Sequence, residues 1–178
     1  MNDDNNSSDL YDYLSVSEVS KIIERDRMEI ELERKLDEIE KEKNKRTGEI
    51  RQEIASISRK YYQIANELVE DGNYYEAVDL YSRSIQISKR YLRRKAQDSI
   101  FNRAITIALM GFPALALQDL RSIAKCKPVK ADVFYVMGQI YESLDKKWLA
   151  RRMYEKSLRI DPSYWRAKNS LERRDSKI

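Results

Sequence analysis

The chain has 178 residues, 36% of them charged and 42% hydrophobic, with 4 Gly and 3 Pro. That length holds one core, or a repeat array with an appendage, and so few chain breakers exclude the many turns of an all-β domain. There is no histidine and one cysteine, which removes the commonest general base, the commonest zinc ligand and any internal disulfide. The net charge of +4 is unevenly spread: residues 1–57 carry 10 basic and 16 acidic side chains, residues 58–178 carry 24 and 14. The second part is therefore expected to draw anionic partners, the acidic first part included.

In chain order, residues 1–9 are rich in Asn, Asp and Ser and too polar to bury a core. They are neither a secretory signal nor an Arg-rich transit peptide. No apolar run approaches the ~18 residues of a membrane span. A soluble, cytoplasmic protein without membrane contact is expected, with the nucleus left open. The stretch Leu10-Tyr11-Asp12-Tyr13-Leu14 then reads as a short motif, so that 1–14 is a polar tail with a motif at its end.

Ser15 and Glu18 have the spacing of a capping box, which starts a helix at Ser15. Residues 15–57 are expected to form a charged N-terminal helix. From Glu24 to Arg46, 17 of 23 residues are charged, with opposite charges four apart at Glu31 and Lys35, Asp37 and Lys41, Glu42 and Arg46. The apolar residues Ile30, Leu32, Leu36 and Ile39 make no sustained coiled-coil seam. The reading is a single helix that projects or lies against the C-terminal part of the chain, with Thr47-Gly48 as the candidate break.

The rest of the chain repeats itself. Gly72 precedes Ala77 by five residues, as Gly111 precedes Ala116. Ala77 and Ala116 are 39 apart; Ala116 and Ala150 are 34 apart, as are Pro128 and Pro162. Within each unit, large apolar and small residues recur in one order. The first reads Tyr61, Ile64, Ala65, Leu68, Ala77, Tyr81, Ser84. The second reads Ile100, Arg103, Ala104, Ile107, Ala116, Leu120, Ile123, Pro128. The third reads Phe134, Met137, Gly138, Tyr141, Ala150, Tyr154, Ser157, Pro162.

These three units resemble the tetratricopeptide repeat family over about two thirds of the chain. The resemblance implies an all-α solenoid. Three helix-turn-helix repeats span 58–90, 91–130 and 131–162, and a capping helix and tail span 163–178, its apolar side Trp165, Ala167 or Lys168, and Leu171. Small residues let paired helices approach, and the aromatic residues Tyr61, Tyr81, Phe134, Tyr141 and Tyr154 fill the core between pairs. The five extra residues between the first two units fall in 88–95 and read as a longer second helix or a longer link.

The resemblance also implies a concave groove lined by the leading helix of each pair, where a partner peptide binds. The positions that match are Tyr62, Asn66, Phe101, Asn102, Ile105, Tyr135, Val136 and Gln139. Co-chaperones of the family hold a terminal carboxylate with two lysines, two asparagines and an arginine. Asn66 and Asn102 match the asparagines, but Tyr62, Asp132 and Val136 occupy the cationic positions, and Asp132 would repel the ligand. An apolar peptide or amphipathic helix suits such a groove better, and the chain's own segment from Leu10 to Ile23 is one candidate occupant.

The function expected is non-catalytic protein binding, as an adaptor or co-chaperone-like scaffold, with a chaperone among the candidate partners. No Gly-rich phosphate loop, catalytic carboxylate pair or metal-ligand cluster is present, so no catalytic residue, cofactor or metal is expected. Cys126, between Lys125 and Lys127, reads as an incidental thiol near a helix end. Two alternatives stand beside adaptor binding. One is a subunit of a larger assembly. The other, weaker, is nucleic-acid binding through a basic surface of Lys89, Arg90, Arg93, Arg94, Lys95, Arg151 and Arg152, which charge patterning explains equally as a solvated face.

Overall fold

The computed structural model describes residues 15–41, 47–92 and 96–175. It contains α1 (Val16–Lys41), α2 (Thr47–Glu70), α3 (Tyr74–Tyr91), α4 (Gln97–Leu109), α5 (Pro113–Ile123), α6 (Ala131–Ser143), α7 (Lys147–Ile160) and α8 (Trp165–Asp175). Among the described residues there is no strand, and no helix is long and apolar enough to cross a membrane. The chain divides into two compact units, 1–57 and 58–178, and the boundary falls inside α2. The readings placed on residues 1–14, the Leu10–Leu14 motif included, and on the Glu42–Arg46 pair fall outside the described residues.

In the first unit the capping box forms as its spacing requires. The Ser15 backbone N–H and hydroxyl donate to the Glu18 carboxylate at 2.7 and 2.6 Å, and the Glu18 N–H donates back to Ser15 Oγ at 3.3 Å. These bonds hold the Glu18 carboxyl below the usual carboxylate range. Further along α1, Glu31 accepts from Arg34 at 2.8 Å and pairs with Lys35 at 3.4 Å. Arg34 also bonds Glu38. Such exposed pairs stabilise a helix by only a few tenths of a kcal/mol each. The helix restarts at the candidate break: α1 ends at Lys41 and α2 begins at Thr47 with Gly48 in its first turn, so the leading helix of the first repeat starts well before residue 58. A glycine near a helix N-terminus replaces no interior hydrogen-bonded turn and costs far less than one at mid-helix.

The second unit stacks three antiparallel pairs, α2/α3 (from Ser58), α4/α5 and α6/α7, and closes with α8. Each pair turns by the same device. Two residues past the end of the leading helix the chain enters the left-handed region, at Gly72 (φ 80°), Gly111 (φ 86°) and Asp145 (φ 54°). The next N–H then reaches back five residues, Asn73 to Leu68 at 2.8 Å, Phe112 to Ile107 at 3.1 Å and Lys146 to Tyr141 at 2.8 Å. This is a Schellman closure, which satisfies carbonyls the helix end leaves orphaned. Pro113 starts α5, where its missing N–H costs nothing.

Packing follows the small-residue pattern. Ala65, Ala77, Ala104, Ala116 and Ala150 are wholly buried, and Tyr61, Tyr81 and Tyr154 fill the space beside them. Phe134 is only partly covered, with the Lys156 ammonium 5.5 Å from its ring centroid. The five residues inserted between the first two repeats lengthen α3 to 18 residues, against 11 in α5 and 14 in α7.

The two seams between repeats differ in chemistry. Where the first pair meets the second, Ser84 of α3 and Ser99 of α4 share a hydroxyl contact of 2.9 Å, and within the first pair Ser58 meets Ser84 and Ser88 at 3.1 and 2.9 Å; all four serines are buried. Between the second and third, Leu120, Ile123, Val133 and Met137 form one apolar core with Tyr154. The cap departs from expectation: Trp165 is 63% exposed with the Arg166 guanidinium 5.7 Å from its ring, and Lys168 is exposed too. Ala167 and Ser170 face inward, with Leu171 packed partly against the core.

Candidate partner-binding groove

The leading helices α2, α4 and α6 carry the eight groove positions read from the sequence. Tyr62, Asn66, Phe101, Asn102, Ile105, Tyr135 and Val136 are half-buried, and Gln139 is exposed. Tyr62, Phe101 and Tyr135 hold one register position in successive repeats. Two of these rings lean on a tyrosine of their own pair's second helix, Tyr62 on Tyr81 at 6.0 Å and Tyr135 on Tyr154 at 5.7 Å between centroids. Tyr135 also meets Tyr164 of the cap connection edge-on at 5.5 Å. Phe101 instead lines a small cavity of about 60 Å³ with Ile123, Val129 and Val133.

The two asparagines are fastened within the array. Asn102 Nδ2 donates to Asn66 Oδ1 at 2.9 Å and to Tyr62 Oη at 3.1 Å, while Tyr81 Oη donates to Asn66 Oδ1 at 2.6 Å. Burial pushes the Tyr81 phenol up to about 12, so it stays a donor at neutral pH.

The acidic side chains of the groove are also engaged. Lys130 Nζ donates to Asp98 Oδ1 at 2.8 Å, which raises the ammonium above its usual range. Tyr164 Oη donates to Asp132 Oδ1; burial first, then this bond, pushes the phenol up to about 12. Asp132 is thus engaged as the acceptor of the Tyr164 hydroxyl.

Lys130 and Tyr164 were not among the sequence-derived groove residues. Both stand in inter-repeat connections, where the family pattern has no fixed position for them; the proline marks at 128 and 162, each two residues ahead, were the available signal. The serine seam was missed for a related reason. Only Ser84 and Ser157 fall on pattern positions, and Ser157 bonds the Ala131 carbonyl instead. The seam serines Ser58, Ser84, Ser88 and Ser99 wall a larger cavity of about 520 Å³ beside Arg59, Tyr62, Gln63 and Lys130.

Among the described residues, the basic side chains of the expected surface fall into two separate groups. Lys89 and Arg90 end α3, with Arg90 stacked over Tyr91 at 5.2 Å. Arg151 and Arg152 lie in the opening turns of α7, Arg151 paired with Glu155 at 3.1 Å and Arg152 over Trp148 at 5.6 Å. The second helices of a solenoid's pairs run parallel, so the end of one and the start of another lie at opposite edges. Arg93, Arg94 and Lys95 lie outside the described residues. Among the described residues no cluster of acidic or thiol groups could hold a metal ion.

Residues 131–164 match the tetratricopeptide repeat family profile. The chain thus carries a tetratricopeptide repeat over these residues. Solved structures with the same solenoid include the first tetratricopeptide domain of Spaghetti (RPAP3) bound to the HSP90 peptide SRMEEVD, 20% identical, covering 67% of this chain and 91% of that one at a TM-score of 0.59. The Arabidopsis OM64 tetratricopeptide domain is 18% identical, covering 70% and 99% at 0.62. The Sgt2 domain of Aspergillus fumigatus is 20% identical, covering 67% and 78% at 0.59. At these identities the likeness establishes the tetratricopeptide fold, and the groove's chemistry has to be read from this chain's own side chains.

Proposed function

We propose that this array is a non-catalytic protein-interaction module, an adaptor or co-chaperone-like scaffold, whose groove takes an apolar peptide segment or amphipathic helix of another protein. The observation that carries this reading is the column Tyr62, Phe101 and Tyr135, half-buried and, for both tyrosines, backed by core rings, beside asparagine groups already bonded to each other. Aromatic side chains held rigid are favoured anchors for a partner. Polar groups that satisfy one another add little to the capture of a charged terminus.

The groove's three would-be cationic positions remain Tyr62, Asp132 and Val136. The peptide SRMEEVD, bound by the Spaghetti (RPAP3) domain, is therefore expected to show no saturable binding here below about 1 mM, roughly −4 kcal/mol. A tighter, carboxylate-dependent complex in calorimetry would favour the clamp mode over the apolar one. The direct test is affinity capture with the intact chain and with Phe101→Ala/Tyr135→Ala. A discrete partner lost in the double variant at moderate salt supports the groove. A partner set untouched by the substitutions but removed by salt would point to charged surface instead.

A further inference from the structure

Charge in the second unit is divided between its two edges. One edge carries the connections between pairs, where second helices end and leading helices start; the other carries the turns within pairs. The connections with one helical turn on either side (88–100, 120–134 and 157–168), together with the opening of the unit at 58–61, hold 14 basic and 3 acidic side chains. The turn segments 67–77, 106–116 and 140–150 hold 2 basic and 6 acidic ones. Charges at mid-helix are mixed and pair with one another, Arg83 with Asp79, Arg103 with Asp119 and Arg151 with Glu155.

The three acids of the connection edge are engaged. Asp98 accepts from Lys130 at 2.8 Å, Asp132 from the Tyr164 hydroxyl, and Asp161 from the Ser163 N–H and hydroxyl at 2.9 and 2.6 Å. Of the 14 cations, Arg93, Arg94 and Lys95 lie outside the described residues, and the other 11 are all exposed. Like charges gathered on one edge repel each other and stabilise no fold, but they are what a polyanion requires. Beside the last connection, Trp165 is 63% exposed and opens a cavity of about 570 Å³ with Tyr135, Arg166, Asn169, Glu172 and Arg173. Two rings, two guanidinium groups and an amide stand there against one carboxylate. Rings and arginines of this kind stack an unpaired base, and an amide can bond its edge.

We propose that the connection edge binds single-stranded nucleic acid, its exposed cations following the phosphates while the Trp165 cavity stacks a base. The strand supplies both things the edge asks for: regularly spaced negative charge, and a flat ring that the cavity can hold. An acidic protein segment would satisfy the cations but bring nothing for the two rings, and an anionic bilayer, being flat, would leave the cavity empty. This activity shares only Tyr135 with the groove column and does not rest on what the groove takes.

Fluorescence anisotropy of a labelled oligouridylate of about 12 nucleotides, titrated with the intact chain, tests this. Saturable binding is expected, with log affinity falling by roughly 0.7 per log unit of salt for each phosphate contacted. Lys125→Glu/Lys127→Glu should weaken binding roughly tenfold and flatten that slope. Lys146→Glu/Lys147→Glu makes the same change of net charge at the turn edge and should leave the affinity within about twofold. Trp165→Ala should weaken binding roughly tenfold with the salt slope unchanged, because it removes a stacking face and no charge. All five side chains are exposed, and an unchanged melting temperature shows that each variant is folded. No saturable binding, equal losses at both edges, or a Trp165→Ala chain that binds as the wild type does would overturn the proposal. So would full displacement of the oligonucleotide by polyglutamate with an equal number of charges, which would assign the edge to an acidic protein instead.

Discussion

At Gly138 the array leaves no room for one methyl group. A Cβ there would lie 2.4 Å from Tyr154 Cε1, although the matching Ala65 sits beside an equally buried Tyr81. The rings lean differently. Tyr81 bonds Asn66, the residue after Ala65, whereas Tyr154 bonds Glu142, four residues past Gly138 at 2.6 Å, and so crosses the glycine. Gly138→Ala is expected to cost about 1–2 kcal/mol net, overpacking outweighing the ~1 kcal/mol that alanine gains in a helix, as read from urea unfolding. The same array's raised phenols set an alkaline limit. Tyr81 and Tyr164 have folded-state values raised from 10.0 to about 12. Their contribution to stability is therefore full below pH 10 and is lost as pH climbs toward 12. The melting temperature should fall across that window, and less steeply in Tyr81→Phe.

Among elements, the sequence marked most clearly those whose ends have local chemistry. The Ser15–Glu18 box and the turn glycines name helix ends because a few neighbouring atoms decide them. Thr47-Gly48 marked the restart of the helix at α2, though not that α2 runs on into the first repeat. Trp165 misled for another reason: size suggested burial, but the cap presents Ala167 and Ser170 inward, where only small side chains fit. Arg103 stood where the pattern asks for a large apolar residue. It meets that demand with its stem, while its head forms a two-pronged bond to Asp119 at 2.8 Å and another to Ser82 at 2.9 Å. The pair is largely shielded, at 22% and 16% exposure. Asp119→Ala should destabilise by about 2–3 kcal/mol by stranding the guanidinium. Arg103→Met/Asp119→Leu should recover most of that loss, and a double-mutant cycle in chemical unfolding reads the coupling.

For the whole molecule, the repeat periods of 39 and 34 residues were enough to assign the solenoid, because stacking equivalent faces is the one way such units bury their surface. The groove was legible only as positions. Which groups there are already engaged depends on Lys130 and Tyr164, brought in from connections at long sequence range. Stability should be graded along the stack. Amide exchange is expected to be slowest around Ala104, Ala116 and Leu120, in α4 and α5, and faster toward the outer end of α8.

The unlike seams also give the array a thermal polarity. Apolar burial carries a positive heat-capacity change on opening and weakens in the cold, whereas a hydroxyl seam has the opposite sign and does not share that loss. Warming should therefore loosen the stack first where Ser84 meets Ser99, and cooling where Ile123 meets Val133 and Met137. A chain built this way has no single weakest joint; which repeat is first released is chosen by the temperature.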